Sequence, residues 1–170
     1  MTPDHVNTVI VGGGQAGLAM SAHLSEQGID HLVIERNRIA ERWRTARWDS
    51  LVANGPAWHD RFPMLEFEDC DGDGFPTRDS VVRYFETVAE RIDAPVRCGV
   101  EVKRAARLPC GRGFRIETSD GVVTADHVVA ATGPFQTPVI PSVVPDGVIK
   151  QIHSCPVSYT HLPLPTSDLV

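Results

Sequence analysis

Cysteine is scarce in this chain, and the four present, Cys70, Cys98, Cys110 and Cys155, form no CxxC pair. That scatter excludes a disulfide framework and a zinc site, and it reads as ordinary reduced thiols. The seven histidines show no metal-ligand spacing, so no metal is expected. Long hydrophobic runs are also missing, which excludes a helix crossing a bilayer. The first residues, MTPDHVNT, lack the basic and apolar parts of a signal peptide. A membrane is therefore not expected, and the cytoplasm is the expected location. Positive charge is in deficit, with a net charge of −6, which argues against nucleic acid or an anionic surface as a general partner. No internal repeat is found. The rest is ordinary for a globular protein: 42% hydrophobic, 22% charged and, at 170 residues, long enough for one domain with a core.

The most informative stretch runs from Val9 to Arg44. A short apolar run ends at Gly12, followed by Gly12-x-Gly14-x-x-Gly17, a helical segment, a second apolar run and Glu35. Gly12 permits a tight strand-to-helix turn. Gly14 lets a pyrophosphate approach the backbone, and Gly17 lets the helix lie close to the strand. The helix start offers free N–H groups and a positive dipole to phosphate. Glu35 stands where a carboxylate accepts hydrogen bonds from ribose hydroxyls, which favours a free 2′-OH, as in FAD or NAD. The competing explanation is a plain βαβ unit with a glycine turn.

In chain order, residues 7–11 read as a strand, 15–27 as a helix stopped at Gly28, and 31–35 as a parallel strand. Five arginines follow: Arg36, Arg38, Arg42, Arg44 and Arg47. They read either as an anion site or as a solvated loop. Residues 48–68 read as an ordered loop. Within this region Trp43, Trp48, Trp58 and Phe62 either line a flat ligand or belong to the core. The acidic turn CDGDG, residues 70–74, lacks the glutamate and the length of a calcium loop. Residues 78–92 form an amphipathic helix with Val81, Phe85, Val88 and Ile92 on one stripe and Thr77 or Asp79 as cap. Short β-runs follow at 96–107, 113–118, 122–124 and 126–131, with Asp120-Gly121 as a hairpin turn. The small β-layer is expected to be inserted before the sheet receives its next strand.

Four motifs together carry a family resemblance over roughly residues 6–155. They are VIVGGGQAG with Glu35, ERWR around Trp43, VVAATG at 128–133, and Gln151-Ile152-His153-Ser154. The chain resembles the flavin-dependent monooxygenases with two dinucleotide-binding domains, which include the flavin-containing monooxygenases and their Baeyer–Villiger relatives. The resemblance implies an α/β fold, a Rossmann-like βαβ FAD-binding domain with an inserted β-meander. Gly12, Gly14 and Gly17 would contact the FAD pyrophosphate and Glu35 would hold the adenosine ribose, with Gly13, Gln15, Ala16 and Arg36 among the cofactor-binding residues. Arg42 and Trp43 would pack near the ribityl chain, Val102 would meet the adenine through its backbone, and Thr132 and Gly133 would close the dinucleotide turn. Asn54, in Ala-Asn-Gly-Pro, looks like the asparagine some members place beside the flavin, and it is the candidate catalytic residue. The implied chemistry uses NADPH to reduce FAD. The reduced flavin and O₂ then form a C4a-(hydro)peroxyflavin that oxygenates a small organic substrate.

Two departures qualify the resemblance. Ile149 stands four residues before His153, where the family's phenylalanine–glycine spacing is not kept, which speaks against a Baeyer–Villiger reaction. The second GxGxxG, expected for NADPH, does not follow, so the two-domain fold is expected to be incomplete and the chain alone to lack NADPH turnover. Residues 157–170, VSYTHLPLPTSDLV, resemble a translated sequencing adapter and are expected to be a disordered, non-native tail on a domain spanning 1–156. A stand-alone nucleotide-binding module without catalysis, or another FAD/NAD-dependent oxidoreductase, remains the alternative. Disulfide reductases are set aside because residues 36–69 contain no cysteine. Substrate and oligomeric state stay open at this stage.

Overall fold

Val6, Val9 and Ile10 are all buried along the first strand, β1 (His5–Val11), which pairs with a strand on each side. The computed structural model describes residues 5–109, 111–134, 137, 139–142, 145 and 147–149. The tail 157–170, the motif at 151–154, Cys110 and Cys155 lie outside the described residues. Helix α1 (Gln15–Glu26) leads from β1 to β2 (His31–Ile34), which pairs parallel to β1 with Val9 opposite Leu32. Gly28, at a φ of +66°, ends the helix and donates its N–H to the Ser25 carbonyl. A buried polar pair ties α1 to β2. His31 Nδ1 lies 2.8 Å from the Ile29 carbonyl, and its Nε2 lies 2.8 Å from the Ser21 hydroxyl. A carbonyl only accepts, so Nδ1 carries a proton.

Three further helices follow: α2 (Glu41–Thr45), α3 (Ala57–Asp60) and α4 (Arg78–Arg91). The amphipathic reading of α4 holds. Val81, Phe85 and Val88 are buried, Ile92 packs against the same cluster, and the Thr77 side chain caps the helix by accepting from the Ser80 N–H. The connecting chain is pinned to α4 by aromatic packing. Tyr84 stacks on Phe67 with ring centroids 3.9 Å apart. The Tyr84 hydroxyl accepts from the Phe62 N–H at 2.6 Å and donates to the Leu65 carbonyl at 2.6 Å. Burial pushes the Tyr84 phenol above its ordinary pKa. Removing only the hydroxyl, by Tyr84→Phe, is expected to strand both backbone groups and cost about 1–3 kcal/mol, read as a lower urea midpoint at unchanged slope.

The remaining strands are β3 (Val96–Arg97), β4 (Val102–Arg107), β5 (Phe114–Thr118) and β6 (Gly121–Ala130). They complete a six-stranded sheet in the order β3-β2-β1-β6-β5-β4. The α/β, Rossmann-like architecture expected from the sequence is present, with three details corrected.

First, the run 96–107 is two strands on opposite edges of the sheet. β3 pairs parallel to β2, and β4 pairs antiparallel to β5. The chain turns away at Gly99, whose φ is +76° and whose N–H donates to the Asn37 carbonyl at 2.9 Å. Second, the runs 122–124 and 126–131 are one strand. β6 pairs with β5 up to Ala125 and with β1 from Thr124 to Ala130, so the meander is continuous with the parallel sheet and forms no separate layer. Third, the hairpin turn is Ser119–Asp120, because Gly121 already pairs with Thr118. The Thr118 hydroxyl holds this turn by accepting from the Asp120 N–H at 3.1 Å. The exposed edge strand β4 carries Lys103, Arg104 and Arg107, a charge pattern that discourages edge-to-edge pairing.

Candidate functional site

The site begins where β1 ends. Gly12 donates its N–H to the Ile34 carbonyl at 2.8 Å and adopts a φ of +115°. A Cβ there would lie 2.4 Å from the Ala131 carbonyl oxygen, so only glycine fits between the ends of β2 and β6. Gly17 is tighter still. A Cβ would lie 1.9 Å from the Gly12 carbonyl oxygen. Gly14 is the opposite case, since a Cβ would meet nothing within 4 Å. It stands at the N-cap of α1 in extended conformation, with no side-chain cap on the first turn. The amino end of α1 therefore opens onto empty space with its N–H groups unclaimed by any capping side chain.

That space is a cavity of about 450 Å³. Of the residues expected at the site, Gly12, Gly14, Gln15, Ala16, Glu35, Arg36, Arg42, Trp43, Val102, Thr132 and Gly133 line it. Gly13 and Gly17 lie behind this lining, where they shape the turn. Gly13 donates its N–H to Glu35 Oε2 at 2.7 Å, and Asn37 donates its N–H to Oε1 at 2.8 Å. Glu35 thus fastens the glycine loop to the end of β2, and each of its oxygens keeps a further lone pair. Asn54 is not among the lining residues. It is exposed in the bend before α3.

The arginine cluster divides into two groups. Arg36, Arg42 and Arg47 line the cavity, and the Arg47 guanidinium sits 5.5 Å from the Trp43 ring centroid. Arg38 and Arg44 serve the scaffold instead. Arg38 grips Glu41 at 2.7 and 3.0 Å and holds that carboxyl below the usual carboxylate range, chiefly through the hydrogen bond. Arg44 pairs with Glu86 and ties α2 to α4. Ala40, which precedes α2, has a φ of 59°, a left-handed conformation rare for a residue with a Cβ. The backbone there is tied to the glycine loop through the Ala40 N–H and the Gly13 carbonyl at 3.3 Å, and this aims Arg42 and Trp43 at the cavity. The aromatics sort similarly. Trp43 lines the cavity, Phe62 is core, and Trp58 is 56% exposed.

Sequence reasoning missed Arg47 as a specific lining residue, as well as Phe85, Val100, Glu101 and Pro134. Phe85 was legible only as the buried stripe of α4. Val100 and Glu101 stand in the same GVEV run as Val102, where only Val102 was singled out, and the turn at Gly99 brings all three in. Among the described residues, no group of three or more potential ligands could hold a metal ion, and no helix is long and apolar enough to cross a membrane.

The residues present fit FAD: Gly14 and the uncapped α1 terminus would face phosphate, and Glu35 would face a ribose diol. An uncharacterized CzcO-like oxidoreductase of Geobacillus kaustophilus is 36% identical over 137 residues, covering 80% of this chain and 38% of that protein. The indole-3-pyruvate monooxygenase YUCCA1 of Oryza sativa is 33% identical over 135 residues, covering 78% and 33%. Among solved structures, a flavin-containing monooxygenase from Stenotrophomonas maltophilia superposes with a TM-score of 0.71 at 26% identity, covering 82% of this chain and 42% of that one. The chain thus spans between a third and a half of the length of these three proteins. Residues 9–161, running from β1 past the last described segment, match the model of the pyridine nucleotide-disulphide oxidoreductases, and the chain belongs to that family.

Proposed function

We propose that this chain supplies the FAD-binding portion of an NADPH-dependent flavoprotein monooxygenase acting on a small organic substrate and O₂. One observation carries the reading. A single cavity gathers the open Gly14 backbone, the α1 amino end, Glu35, the Arg42–Trp43 pair and the Thr132–Gly133 turn, although these residues span more than a hundred positions of sequence. The names of the relatives support the oxygenase class over a simple dehydrogenase. FAD, when bound, supplies two-electron transfer and reaction with O₂.

The chain's own residues do the rest. The first-turn N–H groups of α1 and the nearby arginines balance the pyrophosphate charge. Glu35 orients the ribose while holding Gly13 in place. Trp43, steadied by Arg47, gives a flat apolar wall that excludes water. Asn54 is assigned to the flavin side as a neutral donor and acceptor. Its amide makes no hydrogen bond among the described residues, and the residue is exposed.

Titration of the purified 170-residue chain with FAD tests the reading directly. The expected outcome is one bound flavin per chain, seen as quenched flavin fluorescence and a shifted visible band. A chain with native circular dichroism that leaves FAD unperturbed would sink the proposal.

A further inference from the structure

The end of the cavity beyond Glu35 is built by Val100, Glu101 and Val102. Its backbone is unusually well fixed for a connection between strands. The Val100 N–H donates to the Glu35 carbonyl at 3.0 Å, and the Gly99 N–H donates to the Asn37 carbonyl at 2.9 Å. Ser119 clamps Glu101 from the other side. The Glu101 N–H donates to Ser119 Oγ at 3.0 Å, and the Ser119 N–H donates to the Glu101 carbonyl at 2.8 Å. Both backbone groups of Glu101 are thereby used, and its Cα is held at the cavity wall. Its carboxylate is different. The residue is exposed and lines the cavity, and among the described residues its carboxylate makes no hydrogen bond or ion pair. Glu35, by contrast, has both oxygens engaged.

A dinucleotide laid along this cavity has a fixed order. Its pyrophosphate takes the amino end of α1 and its ribose takes the acid at the end of β2, so its base falls on the far side of Glu35. At neutral pH a carboxylate is an acceptor only. Adenine presents an amino group on its six-position edge, whereas hypoxanthine presents a carbonyl there, which a carboxylate repels. The other charged groups at this end are Arg36, which lines the cavity, Lys103 on β4, and Arg97, which pairs with Asp120 at 3.9 Å. The three cations offer no acceptor to an amine, and the Asp120 carboxylate is paired with Arg97. We propose that Glu101 is a base-reading residue that selects adenine over 6-oxopurines in the dinucleotide. This inference rests on the dinucleotide reading above.

Calorimetric titration of the full chain with ADP and with IDP tests it, alongside FAD as a control for the site itself. The unsubstituted chain is expected to bind ADP about tenfold tighter than IDP, because a site built to accept from an amine is left unpaired by the carbonyl analogue. Glu101→Ala is expected to bring the ratio near one, chiefly by weakening ADP. Glu101→Gln, which can both donate and accept, is expected to narrow the ratio by improving IDP. An ADP/IDP ratio near one in the unsubstituted chain, or a ratio unchanged in both variants, overturns the base-reading role while leaving FAD binding intact. Failure of FAD, ADP and IDP alike to bind overturns the dinucleotide reading and this inference together. The side chain is exposed, so both variants should keep the urea midpoint of the parent, which separates lost reading from lost fold.

Discussion

Gly17→Ala is expected to destabilise the fold by about 3 kcal/mol or more, at the upper end of what overpacking costs. The reason is specific. The new Cβ would sit 1.9 Å from the Gly12 carbonyl oxygen and 3.1 Å from its carbon, and both are backbone atoms. A flexible side chain could swing away, but this carbonyl cannot. It lies in the turn between β1 and α1, and the Gly12 N–H is already bound to Ile34 at 2.8 Å. Helix α1 would have to lift off β1 to make room. That would open the contacts of Leu18, which is fully buried against α4. For a domain of this size the loss corresponds to a fall in Tm of roughly 6–12 °C. Thermal and urea unfolding would check it, and a change below about 1 kcal/mol would show that the loop relaxes where the geometry says it cannot.

Gly14→Ala, three residues earlier, is expected to do the reverse: leave the fold within about 1 kcal/mol of the parent and weaken FAD binding by about a hundredfold. Gly14 has a φ of −95° and a ψ of −167°, a conformation open to any residue, and a Cβ there meets nothing in the protein within 4 Å. The space it would enter is the cavity at the amino end of α1. If that space holds a pyrophosphate, one methyl group forces the phosphates back from the helix N–H groups. Parallel unfolding and FAD titration of the two variants would separate them. Unchanged FAD affinity in Gly14→Ala would mean that the cavity is not where the pyrophosphate lies.

These two glycines also show what is legible in a sequence. The spacing Gly12-x-Gly14-x-x-Gly17 between an apolar run and a helix encodes a local steric demand, and the structure places a backbone oxygen where that demand expects one. The same holds for the stripe of α4 and for its Thr77 cap, since helical period and capping depend on residues within a few positions of each other. The arginine cluster was not resolvable in this way. Arg36 and Arg47 face the cavity while Arg38 and Arg44 are held by Glu41 and Glu86, and Glu86 lies forty-two residues from Arg44.

The βαβ unit and the glycine turn with its closing acid were legible along the chain, because each rests on short-range sterics and periodicity, and the family likeness was legible in four short motifs. Packing between distant residues set the remainder. Pairing on both sides fused two apparent strands into β6. The turn at Gly99 carried Val100, Glu101 and Val102 from one sheet edge to the cavity wall. Strand partners and cavity walls are chosen by residues far apart in the chain, and no local pattern around Glu101 states which groups will meet it.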